Sequence, residues 1–405
     1  MLIRLSKLLF FIILLYYGWF QVVFSPIPNM LLVLGVGMMF FIILHAIRTD
    51  EKIIKVINRE LIFWILFAFS SLFTGSIVAV NFSHVFQSVI TFIEFLVLIY
   101  GIVYISKQDK SIDYFINIFI IFSLVCGVTT VFWGVDLGNG RRAMGHLDNP
   151  NSLGILMVVG ICCILYKIDI KKGLNTLVKI SVIFFLMYVI VLTGSRKSLL
   201  SAVIIFLYWL FIVVKKDLKR LGGITSLRIL FTLAIIISIA YLIFYPILKD
   251  SVLLERLKNL SKSEADVIRR NMYREAFEMF KFSPIVGVGM NNFRDLSIFK
   301  TYSHSTYAEL LACTGIIGAF LYAIPYITVC IYFMKKIFSK TAITILKKEL
   351  RMMFGLYCIL VFLGIGVIHF YDMTSTIAFG LIFAFMTVYN SEIADISCPL
   401  QKEDT

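Results

Sequence analysis

Residues 61–105 read LIFWILFAFSSLFTGSIVAV-NFSH-VFQSVITFIEFLVLIYGIVYI, two apolar runs separated by four residues, with Glu94 the one charged side chain among them. Each run has the roughly 20 residues a helix needs to cross ~30 Å of hydrocarbon. Working outward from this pair, similar runs occur at about 8–24, 29–47, 114–135, 152–166, 177–194, 197–214, 227–248, 306–334, 352–370 and 373–390. With the two quoted runs they predict an all-α polytopic membrane protein of about twelve transmembrane helices.

The composition agrees. Of the 405 residues, 60% are hydrophobic and 15% charged, and the mean hydropathy is +0.94. A soluble chain carries roughly 45–50% apolar and about 25% charged residues, so a soluble enzyme is excluded. The net charge of +14 reads first as cytoplasmic loop anchoring, and nucleic acid is not expected as a partner. The seven cysteines fall in apolar runs or the C-terminal tail without metal spacing, which points to inert thiols and to neither a disulfide framework nor a zinc site. Arg4 and Lys7 before an apolar run imitate a secretory signal, but Pro26 and Pro28 lead straight into the next run with no small-residue cleavage site. The first run is therefore read as a retained helix.

Basic residues in short loops resist translocation. With the N-terminus inside, the inner segments hold 24 of the 38 Lys and Arg, and the short outer segments hold four: Arg141, Arg142, Arg196 and Lys197. Both termini are thus expected in the cytoplasm. Four segments follow: 1–248 with helices 1–9, a large extracytoplasmic loop 249–304, 305–390 with helices 10–12, and a cytoplasmic tail 391–405. In the loop, Ile268, Met272, Ala276, Phe277 and Phe280 share one helical face, which predicts an amphipathic helix over about 264–281.

The outer face should be poor in positive charge, yet Arg141-Arg142, Arg196-Lys197 and Arg269-Arg270 share it with His304. A guanidinium fork binds phosphate bidentately and stays charged at any relevant pH. Several outer arginines therefore suggest a ligand carrying pyrophosphate, with headgroup anchoring by snorkelling as the plain alternative. Thr306 and Glu309 have the spacing of a capping box, which would start a span at about Thr306 and place His304 just outside a helix N-terminus. The positive end of the helix dipole there favours the neutral imidazole that a general base requires. Capping is also the reading given to Glu309. Gly287 and Gly289 form a GxG after Ser283-Pro284, read as a tight re-entrant turn. No Asp-x-Asp or paired-carboxylate pattern marks the outer face, so no metal is expected. Glu94 lies mid-span and is a functional-site candidate by position, with a partner expected on another span.

Four blocks together resemble the O-antigen ligase and Wzy-type polymerase superfamily of bacterial surface-polysaccharide assembly. They are Arg142-Ala143-Met144-Gly145 followed by Asn149-Pro150-Asn151; Thr193-Gly194-Ser195-Arg196; Arg269 with Tyr273, Ala276 and Ser283 through Gly289; and His304 with Tyr307, Gly315 and Gly318. Departures are Lys197 where the family has Gly, Ser305 for Asn, and Cys313 where an acidic residue is common, which removes a carboxylate partner for the histidine. The resemblance implies a GT-C-like glycosyltransferase in the bacterial cytoplasmic membrane with its active site facing outward. It would move a glycan from undecaprenyl pyrophosphate to an acceptor hydroxyl. On this reading Arg196 and Arg269, with Arg142 and Arg270 as weaker candidates, neutralise the departing pyrophosphate, and His304 takes the acceptor proton. No cofactor is implied, since the donor carries its own leaving group. Implied partners are the lipid-linked donor, the glycan acceptor, membrane lipids, and a chain-length regulator and flippase of the same pathway. Polymerisation of repeat units is the first expectation. A ligase transferring glycan to lipid A core or another anchor is the second, and a lipid-linked oligosaccharide flippase is the third.

Overall fold

The computed structural model describes residues 1–20, 30–50, 58–133, 142–147, 149–168, 173–214, 245, 249, 251, 253–254, 264–339 and 347–397. Among these there is no strand. The helices are α1 (Leu2–Leu15), α2 (Met30–Arg48), α3 (Arg59–Val78), α4 (Phe82–Asp109), α5 (Asp113–Trp133), α6 (Pro150–Lys167), α7 (Gly173–Thr193) and α8 (Arg196–Tyr208), then α9 (Glu264–Phe282), the short α10 (Phe293–Leu296), α11 (Thr306–Phe338), α12 (Lys347–Leu363) and α13 (Met373–Ser397). Among the described residues, α2–α7, α11 and α13 are long and apolar enough to cross a membrane. The run expected at 227–248 lies, apart from Tyr245, outside the described residues.

One expected run is corrected. In place of a helix over 352–370, α12 ends at Leu363, the chain turns, and a single 3₁₀ turn covers His369–Tyr371. Gly364 and Gly366 explain the break, because glycine is a poor helix former. The carbonyls so released are used: Gly364 O and Val367 O accept from Thr306 N at 2.8 and 3.1 Å.

The chain forms two compact units, one of Met1–Ile118, Glu264–Ile343 and Gly364–Thr405, the other of Phe119–Ser263 and Thr344–Leu363. In the first, α4 and α13 are the most buried helices and pack on each other. An aromatic cluster ties α3 to α11: Trp64 stacks on Tyr322 with centroids 5.6 Å apart, and its indole N–H donates to the Tyr322 carbonyl at 3.2 Å. Phe67, Phe92 and Phe370 close around the same ring. In the second unit α6 is central, with every residue from Ser152 to Leu165 buried against α7, α8 and α12. Gly154 lets α8 come close, since a Cβ there would stand 2.4 Å from Ser198 Oγ. Such close approach over small residues is how helices associate where lipid removes the hydrophobic driving force.

Candidate functional site

The turn before α11 is built from short polar side chains, and their hydrogen bonds fix it. Ser303, Ser305 and Thr306 are buried, while His304 between them is partly exposed and adopts φ +59°. A left-handed backbone at a non-glycine residue costs of order 1–3 kcal/mol and persists only where its surroundings over-determine it. They do so here. Ser303 N donates to Glu309 Oε2 at 2.7 Å, and Ser303 Oγ donates to the Ser305 carbonyl at 3.2 Å. On the other side, Thr306 Oγ1 donates to Val367 O at 2.6 Å and accepts from His369 N at 3.0 Å. The Tyr302 ring meets the imidazole edge to face, centroids 4.5 Å apart.

The cap differs from the one read in the sequence. α11 starts at Thr306 as expected, but the N-cap is Ser305, whose hydroxyl accepts from Ala308 N. Thr306 is the first helical residue, and its hydroxyl is drawn to Val367. Glu309 is fully buried and reaches past the cap to Ser303, with the Cys313 thiol donating to its other oxygen at 3.7 Å. The spacing Thr-x-x-Glu marked the helix start correctly and assigned the wrong residue to the cap, because Ser305 is an equally good capping residue one position earlier.

The GxG segment docks on the same helix. Gly315 breaks α11 with φ +59°, ψ −163°, which frees the carbonyls of Ala312 and Cys313 to accept from Val288 N and Gly289 N at 3.0 and 2.9 Å. Ile316 N and Ile317 N donate back to Pro284 and Ile285. Gly287 has φ +71°, and a Cβ on it would stand 2.3 Å from the Cys313 carbonyl carbon. Backbone thus packs directly on backbone. α9 packs beside this turn through Met272 and Ala276, which cluster with Phe293, Ala312 and Cys313. Its apolar face is narrower than the sequence pattern, as Ile268 and Phe277 are exposed. Tyr273 Oη donates to Ile365 O at 3.0 Å, and burial pushes that phenol up, with Arg269 pulling the other way. Arg269 lies 3.8 Å from Asp266 with its side chain largely covered, and Arg270 is exposed.

In the second unit the first two sequence blocks come together. Asn149 caps α6 by accepting from Asn151 N at 2.8 Å, and Pro150 takes the first helical position, where its missing N–H costs nothing. Asn151 Oδ1 accepts from Arg142 Nη2 at 2.9 Å, and Arg142 Nε donates to Thr193 O at 2.8 Å. Arg142 therefore ties the Asn-Pro-Asn corner to the end of α7. Gly194 (φ +60°) then turns the chain, and Arg196 and Lys197 open α8. Two cations at a helix N-terminus oppose the dipole, an arrangement that an anion would relieve. The four arginines thus divide between the units, Arg142 and Arg196 in one, Arg269 and Arg270 in the other, with His304 in the latter.

Other titratable groups settle differently. Glu94 has no hydrogen bond or ion pair to another described residue; it lines a cleft of about 260 Å³ between α2 and α4 whose other lining residues are apolar, not the expected partner on another span. His84 pairs with Asp295 at 2.7 Å, beside Asn292, which bonds the Asn81 backbone at 2.7 and 3.1 Å. No sequence pattern announces that pair, since 211 residues separate its members.

Fold and site together define a polytopic helical membrane protein in which Arg142, Arg196 and His304 sit at turns beside helix ends and Arg269 and Arg270 on α9. Residues 180–323 match the family model of the O-antigen ligases, which bears out the resemblance to the O-antigen ligase and Wzy-type superfamily and indicates an O-antigen ligase or polymerase-type membrane enzyme. Arg196, Arg269, Arg270 and His304 lie inside the matched segment, and Arg142 lies before it. No curated protein matches the chain.

Proposed function

We propose that this protein is an outward-facing glycosyltransferase of the bacterial cytoplasmic membrane that polymerises oligosaccharide repeat units carried on undecaprenyl pyrophosphate. In this reading the acceptor hydroxyl oxygen attacks the anomeric carbon of the donor glycan. The bond from that carbon to the pyrophosphate oxygen breaks, and lipid pyrophosphate leaves with the electron pair. His304 takes the hydroxyl proton. Arg196 and Arg269 offset the charge developing on the leaving group, with Arg270 and Arg142 as secondary contacts. The topology that goes with this is GT-C-like, with about twelve spans, both termini inside, and 249–304 as the large outer loop. A flippase that supplies the donor and a chain-length regulator that limits the product are the expected partners.

The observation that carries the reading is the turn at His304. Three buried hydroxyl residues and a buried carboxylate hold one partly exposed imidazole in a left-handed conformation, inside the segment that matches the family. Backbone strain that buried partners hold in place clusters at functional positions. His304→Ala is expected to lower product formation by about 10²–10⁴-fold with unchanged abundance in the membrane; wild-type polymer from a well-expressed variant removes the assignment.

The description of the matched family favours a second reading, a ligase that transfers finished glycan to a terminal anchor. The lipid-linked glycan in a deletion strain separates the two. Single repeat units on the carrier or anchor support polymerisation; long chains accumulating on undecaprenyl support the ligase.

A further inference from the structure

Glu309 is a fully buried carboxylate at the fourth position of α11, where ordinary capping does not require it, because Ser305 already caps the helix. Its Oε2 instead accepts from the backbone N–H of Ser303, 2.7 Å away. That N–H belongs to the residue directly before the left-handed His304. On the far side of His304 the backbone is held by Thr306, whose N–H donates to Gly364 and Val367. The imidazole is thus suspended between two anchors, and Glu309 is the side-chain anchor on the N-terminal side. Cys313 donates to the other carboxylate oxygen, which fixes the rotamer that faces Ser303. Where the family commonly has an acidic residue, this chain has a thiol that orients the acid one helical turn earlier.

We infer that Glu309 is a positioning residue for His304, acting by accepting the Ser303 N–H and so setting where the imidazole stands. The inference rests on His304 being the base of the proposed transfer. Its requirement is an acceptor oxygen at this place, and the negative charge is dispensable.

The test uses the full-length protein in proteoliposomes with a lipid-pyrophosphate-linked oligosaccharide, and three variants. Glu309→Gln keeps an acceptor for Ser303 N–H and supplies an N–H toward Cys313 Sγ, so kcat is expected within about 3-fold of wild type. Glu309→Met keeps the volume and loses the acceptor. Its kcat is expected to fall by about 10–100-fold, the scale on which small misplacement of a catalytic group acts, with donor KM unchanged and with the size-exclusion profile of wild type. In a His304→Ala background, Glu309→Met is expected to add no further loss, since a residue acting only through another is non-additive with it. Full activity of Glu309→Met, an inactive Glu309→Gln, or additive losses in the double variant would each overturn the inference while leaving His304 as the base. Wild-type activity of His304→Ala alone would instead overturn the reading beneath it.

Discussion

Replacing Gly287 by alanine tests whether the GxG turn is held on α11 by backbone contact. The new Cβ would stand 2.3 Å from the Cys313 carbonyl carbon, 2.4 Å from Thr314 N and 2.5 Å from the Cys313 oxygen. All three are main-chain atoms, so no side-chain rotation relieves the overlap. The left-handed backbone (φ +71°) adds roughly 1–2 kcal/mol for any residue with a Cβ. If the turn retreats, the bonds from Val288 N to Ala312 O and from Gly289 N to Cys313 O are lost, at about 1 kcal/mol each. The expected destabilisation is therefore about 3–4 kcal/mol, a large share of the 5–15 kcal/mol typical of a folded protein. The control is Gly37→Ala in α2, where the nearest atom to the new Cβ is Leu9 Cδ1 at 3.5 Å. That change should be neutral or stabilising by up to about 1 kcal/mol. Intrinsic-fluorescence melting of the purified proteins in detergent reads both. If Gly287→Ala melts with wild type, the turn does not depend on backbone packing and the reasoning fails.

Arg196→Lys and Arg269→Lys are expected to lose most transfer activity at normal abundance, because an ammonium keeps the charge and loses the bidentate fork; full activity in both would demote them to topology anchors. Arg142→Ala should lower thermal stability by about 1–3 kcal/mol, since it leaves the Thr193 carbonyl and Asn151 Oδ1 without their donor, and an unchanged melting temperature would contradict that role. Transfer by purified protein is expected to continue in chelator without added nucleotide, as the outer-face sequence shows no carboxylate pair suited to a divalent ion. Activity that disappears in chelator and returns with Mg²⁺ would show the opposite.

Hydropathy made the spanning helices legible because length and apolarity are what the bilayer demands. It misplaced the end of α12, where a window average passes over Gly364 and Gly366 and sees only their apolar neighbours. The breaking residues were visible, but their reason was not: the carbonyls they release bind Thr306, nearly 60 residues earlier in the chain. Glu94 shows the same limit, since its rank as an isolated mid-span acid is a sequence fact, while the apolar cleft it lines depends on how α2 meets α4.

At the site, motifs were legible where neighbours in sequence are partners in space. Asn149-Pro150-Asn151 is a helix start whose cap, first residue and arginine contact all fall within ten positions of Arg142, and the block stood out in the sequence by its resemblance to the family. The support of His304 was not legible in this way. The sequence offered Thr306 and Glu309 as a reciprocal cap, which would make Glu309 a local helix signal. In the folded chain Ser305 caps, Thr306 binds the 364–369 segment, and Glu309 is left to hold the residue before the histidine. Each of these side chains could have served a helix end by itself. That they divide the work so that His304 keeps a left-handed backbone and a partly exposed side chain is a property of the turn as a unit.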